Sequence, residues 1–354
     1  MREVATVRPK SAVCVWYMER KEIELVLAVL GQKPTVFHYF KDRYALMLLA
    51  YAVSSGAQPL RLLKASAFSG LLRKEVLRDV LDALPDGNLD VSALVGLWPK
   101  APLAYVLTLG SWPKQITKRR HPRYYSAYNQ TSRKGYNVVL QLNFPFEHER
   151  AYRTLIPADR RCPFECATHP IADGRRTLAW SRIDFDLETG EALIEEVQSD
   201  WIRLAYSLQT TVERLETRSD GTLRLARQVL QARGLEEGRT ALARYLKHTL
   251  AIHREIWAEA MLASSIQFIV ESLGLRRIYF HTYETGARLK SITWRRPPRS
   301  LYSQLPKRFC FEKTNEPPEF LKRSCSGHSR RILENETNWF VLDFRSGGQD
   351  VRGS

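Results

Sequence analysis

Ala192-Leu193-Ile194-Glu195-Glu196-Val197-Gln198-Ser199-Asp200-Trp201 sets three carboxylates, an amide, a hydroxyl and an indole directly behind an apolar start. An apolar run of this kind opens as a strand. Successive side chains of a strand alternate between its faces, so Glu196, Gln198 and Asp200 are expected on one face and Glu195, Val197 and Ser199 on the other. α/β folds place their chemistry at strand ends, where the backbone is rigid and opens toward solvent. An edge strand with ordinary solvated carboxylates is the plainer alternative.

Working outward, Tyr136 to Leu142 and Leu178 to Asp186 read as strands, and Glu188-Thr189-Gly190 as the turn that joins the second to the decapeptide. Residues 203 to 240 are rich in Arg and Glu without Pro and read as helix. Leu242, Leu246, Leu250, Trp257, Met261 and Phe268 then give an amphipathic helix that Gly274 ends. Strands return at Arg277 to Thr282 and Asn338 to Phe344. These elements form a mixed α/β (α+β) domain over 136 to 345, followed by a disordered tail over 346 to 354.

Residues 1 to 108 open with a strand-like Ala12-Val13-Cys14-Val15-Trp16-Tyr17-Met18 and then read as mainly helical. Arg43 to Val53 is one helix. Leu72, Val76, Val80 and Leu84 predict another over 71 to 84, stopped by Pro85-Asp86-Gly87-Asn88. This region reads as a small accessory domain or partner-binding cap, with a helix-turn-helix reader as the sharper alternative.

With 354 residues, 44% apolar and 10% aromatic, the chain can bury a sizeable core. Its start lacks the continuous apolar run of a signal peptide, and no stretch approaches the ~18 uncharged residues of a membrane span. The expectation is a cytoplasmic protein with no membrane partner. Five cysteines, an odd number, fit reduced thiols better than a disulfide framework.

The net charge of +16 is concentrated in two segments. Gly110 to Gly135 carries seven basic residues and no acid, and Gly286 to Arg331 carries twelve against three glutamates, so the remainder is neutral overall. In the connector over 109 to 135, Lys118, Arg119, Arg120 and Arg123 interleave with Tyr124 and Tyr125. Cations for phosphates and rings for bases point to a nucleic-acid partner, single-stranded in the first instance. A phosphorylated cofactor would use the same side chains, and a solvated basic surface is the plainer reading.

Glu195-Glu196-Val197-Gln198-Ser199-Asp200-Trp201 resembles the "EIQSDW" signature of a domain in large polyvalent proteins of phages and mobile elements. The order of Tyr136, His169, Leu178 to Asp186, Trp257, Gly274, Arg277 to Thr282 and Leu301 to Pro306 agrees with it over residues 121 to 345. That resemblance implies that His169 accompanies the heptapeptide in one site.

The order of elements in 136 to 345 is also similar to GNAT-type N-acetyltransferases, in which a curved mixed sheet carries a long helix after its fourth strand and a short helix holding a Tyr. This likeness implies Tyr302 as general acid and acetyl-coenzyme A as cofactor. The Gly-rich turn that holds the pyrophosphate in such enzymes is replaced here by Trp201-Ile202-Arg203-Leu204-Ala205. A second enzyme reading resembles PD-(D/E)xK nucleases, with Asp184 or Asp186 and Glu196 on a divalent metal and Gln198 in the usual Lys position. A non-catalytic nucleic-acid or protein-binding module is the third.

As an enzyme, the chain is expected to use Glu196 as general base, Gln198 and Asp200 to position substrate, His169 to assist proton transfer and Tyr302 to donate a proton. Cys162, Cys166, His169, Cys325 and His328 have the ligand types of a zinc site, with buried free thiols as the commoner explanation.

Overall fold

The computed structural model describes residues 18–31, 33–84, 86–99, 101–113, 130–157, 160–217, 222–235, 238–292, 297–335 and 338–345. The strand expected from Ala12, the cations and rings Lys118, Arg119, Arg120, Arg123, Tyr124 and Tyr125, and the tail over 346 to 354 lie outside the described residues.

Among the described residues are ten strands: β1 (Thr35–Tyr39), β2 (Gln58–Pro59), β3 (Asn88–Leu89), β4 (Leu103–Trp112), β5 (Asn137–Asn143), β6 (Thr177–Asp186), β7 (Glu191–Gln198), β8 (Arg277–His281), β9 (Glu312–Thr314) and β10 (Trp339–Asp343). Eight of them form one sheet in the order β1-β4-β5-β6-β7-β8-β10-β9, and β2 pairs with β3. Strands β7 and β8 run parallel, while the other described neighbours in the sheet are antiparallel.

A parallel pair needs a crossover connection. Helices Asp200–Glu216, Thr222–Ala232, Gly238–Tyr245 and Ala251–Gln267 supply it between β7 and β8. Gly274, with φ +71°, turns the chain out of the last of them into β8. The β7–β8 pairing runs from Glu191↔Arg277 to Ile194↔Phe280. Beyond it β7 continues along β6 alone to Gln198, paired there with Trp180.

The hydrophobic pattern fixes which side of the sheet is which. Ile183, Ile194, Val197, Phe280 and Phe340 face the main core, together with Ile256, Met261, Leu262 and Ile266 of the long helix. Leu193, Tyr279 and Trp339 face the other way, onto Phe320, Leu321, Ile332 and Leu333. Trp112, Val139 and Trp180 make a third, small cluster.

The expected alternation of β7 is broken by a bulge. Arg182 pairs with Glu196 and Ile183 with Ile194, so Glu195 is the extra residue. A bulge lets two consecutive side chains leave the strand on the same side. Glu195 accordingly joins Glu196 on the polar face instead of facing away from it, which corrects the strict-parity expectation, while Val197 and Ile194 keep their core places.

Strands β1 and β4, the second running past the expected boundary at 108 to Trp112, join the same sheet, and the apolar residues of the first 108 join the same core. The Tyr39 hydroxyl and the Asp42 amide both donate to Glu259 of the long helix at 2.7 Å. The single helix expected over 71 to 84 is instead three short pieces, Ala67–Arg73, Glu75–Leu77 and Arg78–Asp82, interrupted at Lys74 with an extended backbone. Lys74 is held there by Asp42 at 2.9 Å, a tertiary contact that periodicity cannot register.

Candidate acid–base site at the end of β7

Each residue of the heptapeptide has its own place. Val197 enters the core, Ser199 caps the helix Asp200–Glu216 by accepting from the Ile202 amide at 3.1 Å, and Trp201 is fully buried. The Trp201 indole N–H donates to the Tyr245 hydroxyl at 2.8 Å, inside a cage of Phe144, His148, Tyr152 and Phe164. Those three residues build the fold, and four polar ones remain.

Glu195 is fully buried. Its carboxylate accepts from the Ser132 amide at 2.8 Å and the Ser132 hydroxyl at 3.0 Å, with His281 Nε2 at 3.1 Å. Lys290 donates to the Glu195 carbonyl at 2.7 Å. Burial alone pushes this carboxyl up, but the His281 hydrogen bond and the nearby cations bring it down to about 2. Burial lowers His281, so its ring is neutral at pH 7, and the Ser132 donors and Lys290 hold the glutamate ionised.

Ser132, His281 and Glu195 thus form a serine, histidine and carboxylate set, but not a nucleophilic triad. Serine and carboxylate both meet the same nitrogen, Nε2, at 2.8 and 3.1 Å, whereas a relay uses the two ring nitrogens separately. Ser132 is also buried, out of reach of substrate. The set clamps the bulge.

Glu196 pairs with Arg182, whose guanidinium also donates to the Gln130 carbonyl at 2.9 Å and lies over the Trp112 ring. Burial raises the Glu196 carboxyl; Arg182 and Lys290 outweigh that and hold it below the ordinary range. A carboxylate so stabilised is a poor proton acceptor at neutral pH. The role of general base expected for Glu196 therefore does not fit its surroundings. Tyr302 is buried, and burial beside Glu196 holds the phenol well above its ordinary value, against a weaker opposing pull from the Val197 backbone.

Gln198, Asp200 and His169 do come together. His169 Nδ1 lies 2.8 Å from Asp200 Oδ2. The Gln198 amide donates to Asp200 Oδ1 at 2.8 Å, the Trp180 indole to Oδ2 at 3.3 Å, and Arg203 closes on Oδ1. Burial pushes Asp200 up, yet His169 and Arg203 bring it down to about 2. The Asp200 side chain is buried while that of His169 keeps 29% of its surface open. A fixed carboxylate on one nitrogen of a partly open imidazole is the arrangement of an oriented acid–base group.

The remaining expectations part from this centre. Asp184 is forked by Arg133 at 2.8 and 2.9 Å, and Asp186 lies 3.9 Å from the same guanidinium. Arg133, counted among the connector's cations, is therefore buried in an ion pair and not offered to a phosphate. Among the described residues no group of three His, Cys, Asp or Glu could hold a metal ion. Cys162, Cys166, Cys310 and Cys325 are free thiols; Cys325 sits beside the Ser132 carbonyl and His328 is exposed.

The position that would hold a coenzyme A pyrophosphate does not fit one. Ser199 already occupies the Ile202 amide, and the Asp200 carboxylate adds negative charge to the first turn.

Sequence reading missed Ser132, Arg182, His281, Lys290, Trp180 and Arg203. Arg182 and His281 lie in segments read as strands, and their two-residue alternation with Asp184 and Tyr279 was the available signal. Ser132 and Lys290 carry none, because their roles come from segments far apart in the chain. Among the described residues no helix is long and apolar enough to cross a membrane. No protein family, curated protein or solved structure matches the chain.

Proposed function

We propose that the chain is a GNAT-like, transferase-type protein of phage or mobile-element kind, acting on or beside nucleic acid, with His169 and Asp200 as its proton-transfer pair. The observation that carries this reading is the 2.8 Å contact between His169 Nδ1 and Asp200 Oδ2, made by a carboxylate with three further partners and an imidazole that keeps one side open. Asp200 holds the ring in place and stabilises the imidazolium when Nε2 takes a proton from an attacking hydroxyl or amine. Gln198 and Arg203 keep Asp200 from turning away.

Four further features favour the transferase likeness: the parallel β7–β8 pair, the long helix between them, the end of pairing at Ile194, and Tyr302 near Glu196. The filled helix start at Ser199 and Asp200 favours a second reading, a nucleic-acid-binding module without catalysis.

The test is to incubate the protein with single-stranded oligonucleotide and with acetyl-coenzyme A, separately and together, and to follow each by mass spectrometry. A change in either that vanishes in His169→Gln supports the catalytic reading. The same product from the variant would sink the assigned pair, and an oligonucleotide bound but unaltered favours the binding module.

A further inference from the structure

Strand register sets Trp180 of β6 and Gln198 of β7 side by side. Their side chains meet the first turn of the helix Asp200–Glu216, where both donate to the Asp200 carboxylate. A carboxylate offers about four lone-pair sites. Here Oδ1 accepts from Gln198 at 2.8 Å and from Arg203, while Oδ2 accepts from Trp180 at 3.3 Å and faces His169 Nδ1 at 2.8 Å. With those sites filled, Asp200 has none left for a substrate and no freedom to turn over.

Two groups stand within reach of Nδ1: Asp200 Oδ2 at 2.8 Å and the Gln198 amide nitrogen at 3.1 Å. An ionised carboxylate can only accept, and an amide nitrogen can only donate. Burial pushes the Asp200 carboxyl up, yet His169 and Arg203 bring it down to about 2, so it is ionised at pH 7. A bare Nδ1 would set its lone pair against Oδ2 at the shorter of the two distances. A proton on Nδ1 satisfies Oδ2, and Gln198 already directs a hydrogen to Oδ1. The Trp180 ring meets the imidazole at 72° with centroids 5.5 Å apart, which hinders rotation of the imidazole.

We propose that neutral His169 is held as its Nδ1–H tautomer, with Trp180, Gln198 and Arg203 as positioning residues acting through Asp200, so that the site takes a substrate group that donates to Nε2: a hydroxyl, thiol or amine. The hydrogen bond at one ring nitrogen decides which of the two carries the proton. Gln198 and Arg203 require an acceptor at Oδ1, and Trp180 and His169 require one at Oδ2. A carboxylate meets both demands, whereas an amide meets only one. This proposal deepens the acid–base reading of the pair and rests on it for its consequence.

The test is nitrogen NMR of protein labelled at histidine, in mildly alkaline buffer where an ordinary histidine ring is neutral, with the His169 signals identified by their loss in His169→Gln. Wild type should carry the proton on Nδ1. In Asp200→Asn the new amide should leave its oxygen with Arg203 and Gln198, turn its nitrogen to Nδ1, and so move the proton to Nε2. Adding Arg203→Ala and Gln198→Leu should let that amide turn its oxygen to the Trp180 N–H and return the proton to Nδ1, a reversal that loss of packing would not produce. Melting curves check folding, and if the triple variant does not fold, wild type and Asp200→Asn decide between them. A wild-type ring protonated on Nε2 would overturn the proposal together with His169 as base. A proton that stays on Nδ1 in Asp200→Asn, or fails to return in a folded triple variant, overturns the positioning roles and leaves the acid–base pair standing. Expected spectra without any transfer activity would sink the acid–base reading while the tautomer stands.

Discussion

Glu195 and Glu196 are adjacent in sequence and send both carboxylates to the same face of the sheet, Glu195 to His281 and Glu196 to Arg182. The bulge that permits this also ends the pairing with β8, so the two acids stand where the sheet opens. They are the anchors beside the cluster, and Gln198 and Asp200 follow Glu196 by two and four residues.

Removing Glu195 strands buried donors. Glu195→Ala leaves the Ser132 amide and the Lys290 ammonium without their counter-charge, and breaking a buried ionic network by one partner costs about 3–5 kcal/mol. Urea unfolding should show that loss. A change under about 1 kcal/mol would mean that water or a rearrangement replaces the carboxylate.

Mild acid should destabilise the protein through two buried histidines. Burial holds His148 down to about 3 and His253 down to about 4. The unfolded chain then binds protons below about pH 6.5 that the folded chain refuses, so stability falls as pH drops, by ~1.4 kcal/mol per unit for each histidine. Asp184 opposes one of them, because burial pushes its carboxyl up to about 6 and the folded state takes that proton first. Unfolding free energies at pH 7 and pH 5 should differ by about 2 kcal/mol in favour of pH 7. Equal values would contradict the burial of the two rings.

Tyr245→Phe probes the cage around Trp201. The hydroxyl accepts from the Trp201 indole at 2.8 Å and meets His148 Nε2 at 2.8 Å. Without it a buried N–H loses its acceptor, at a cost of about 1–3 kcal/mol. Denaturant midpoints compare the two proteins, and a neutral substitution would show that the indole finds another partner.

Asp200→Asn and His169→Gln should each lower any transfer rate by about 10²–10⁴, the usual share of a positioned acid–base group. The double variant should be no slower than either single one, since the two act as a unit. Rates that multiply would show two separate roles.

The sequence by itself determined strands β5 to β8 and β10 and the helical crossover, while β1 and β4 went unread inside a region expected to be mainly helical. Apolar runs such as Leu193-Ile194 and the period of the long helix are local signals, and local signals survive without tertiary contacts. It also brought Gln198, Asp200 and His169 onto one list. Tertiary structure decided their roles. Whether a carboxylate serves as base or as anchor depends on which cation lies beside it, and Arg182, Lys290, Ser132 and His281 reach Glu195 and Glu196 from four different segments. The bulge had the same origin: one extra residue in β7 is visible only against β6, because register belongs to the pair of strands and not to either one.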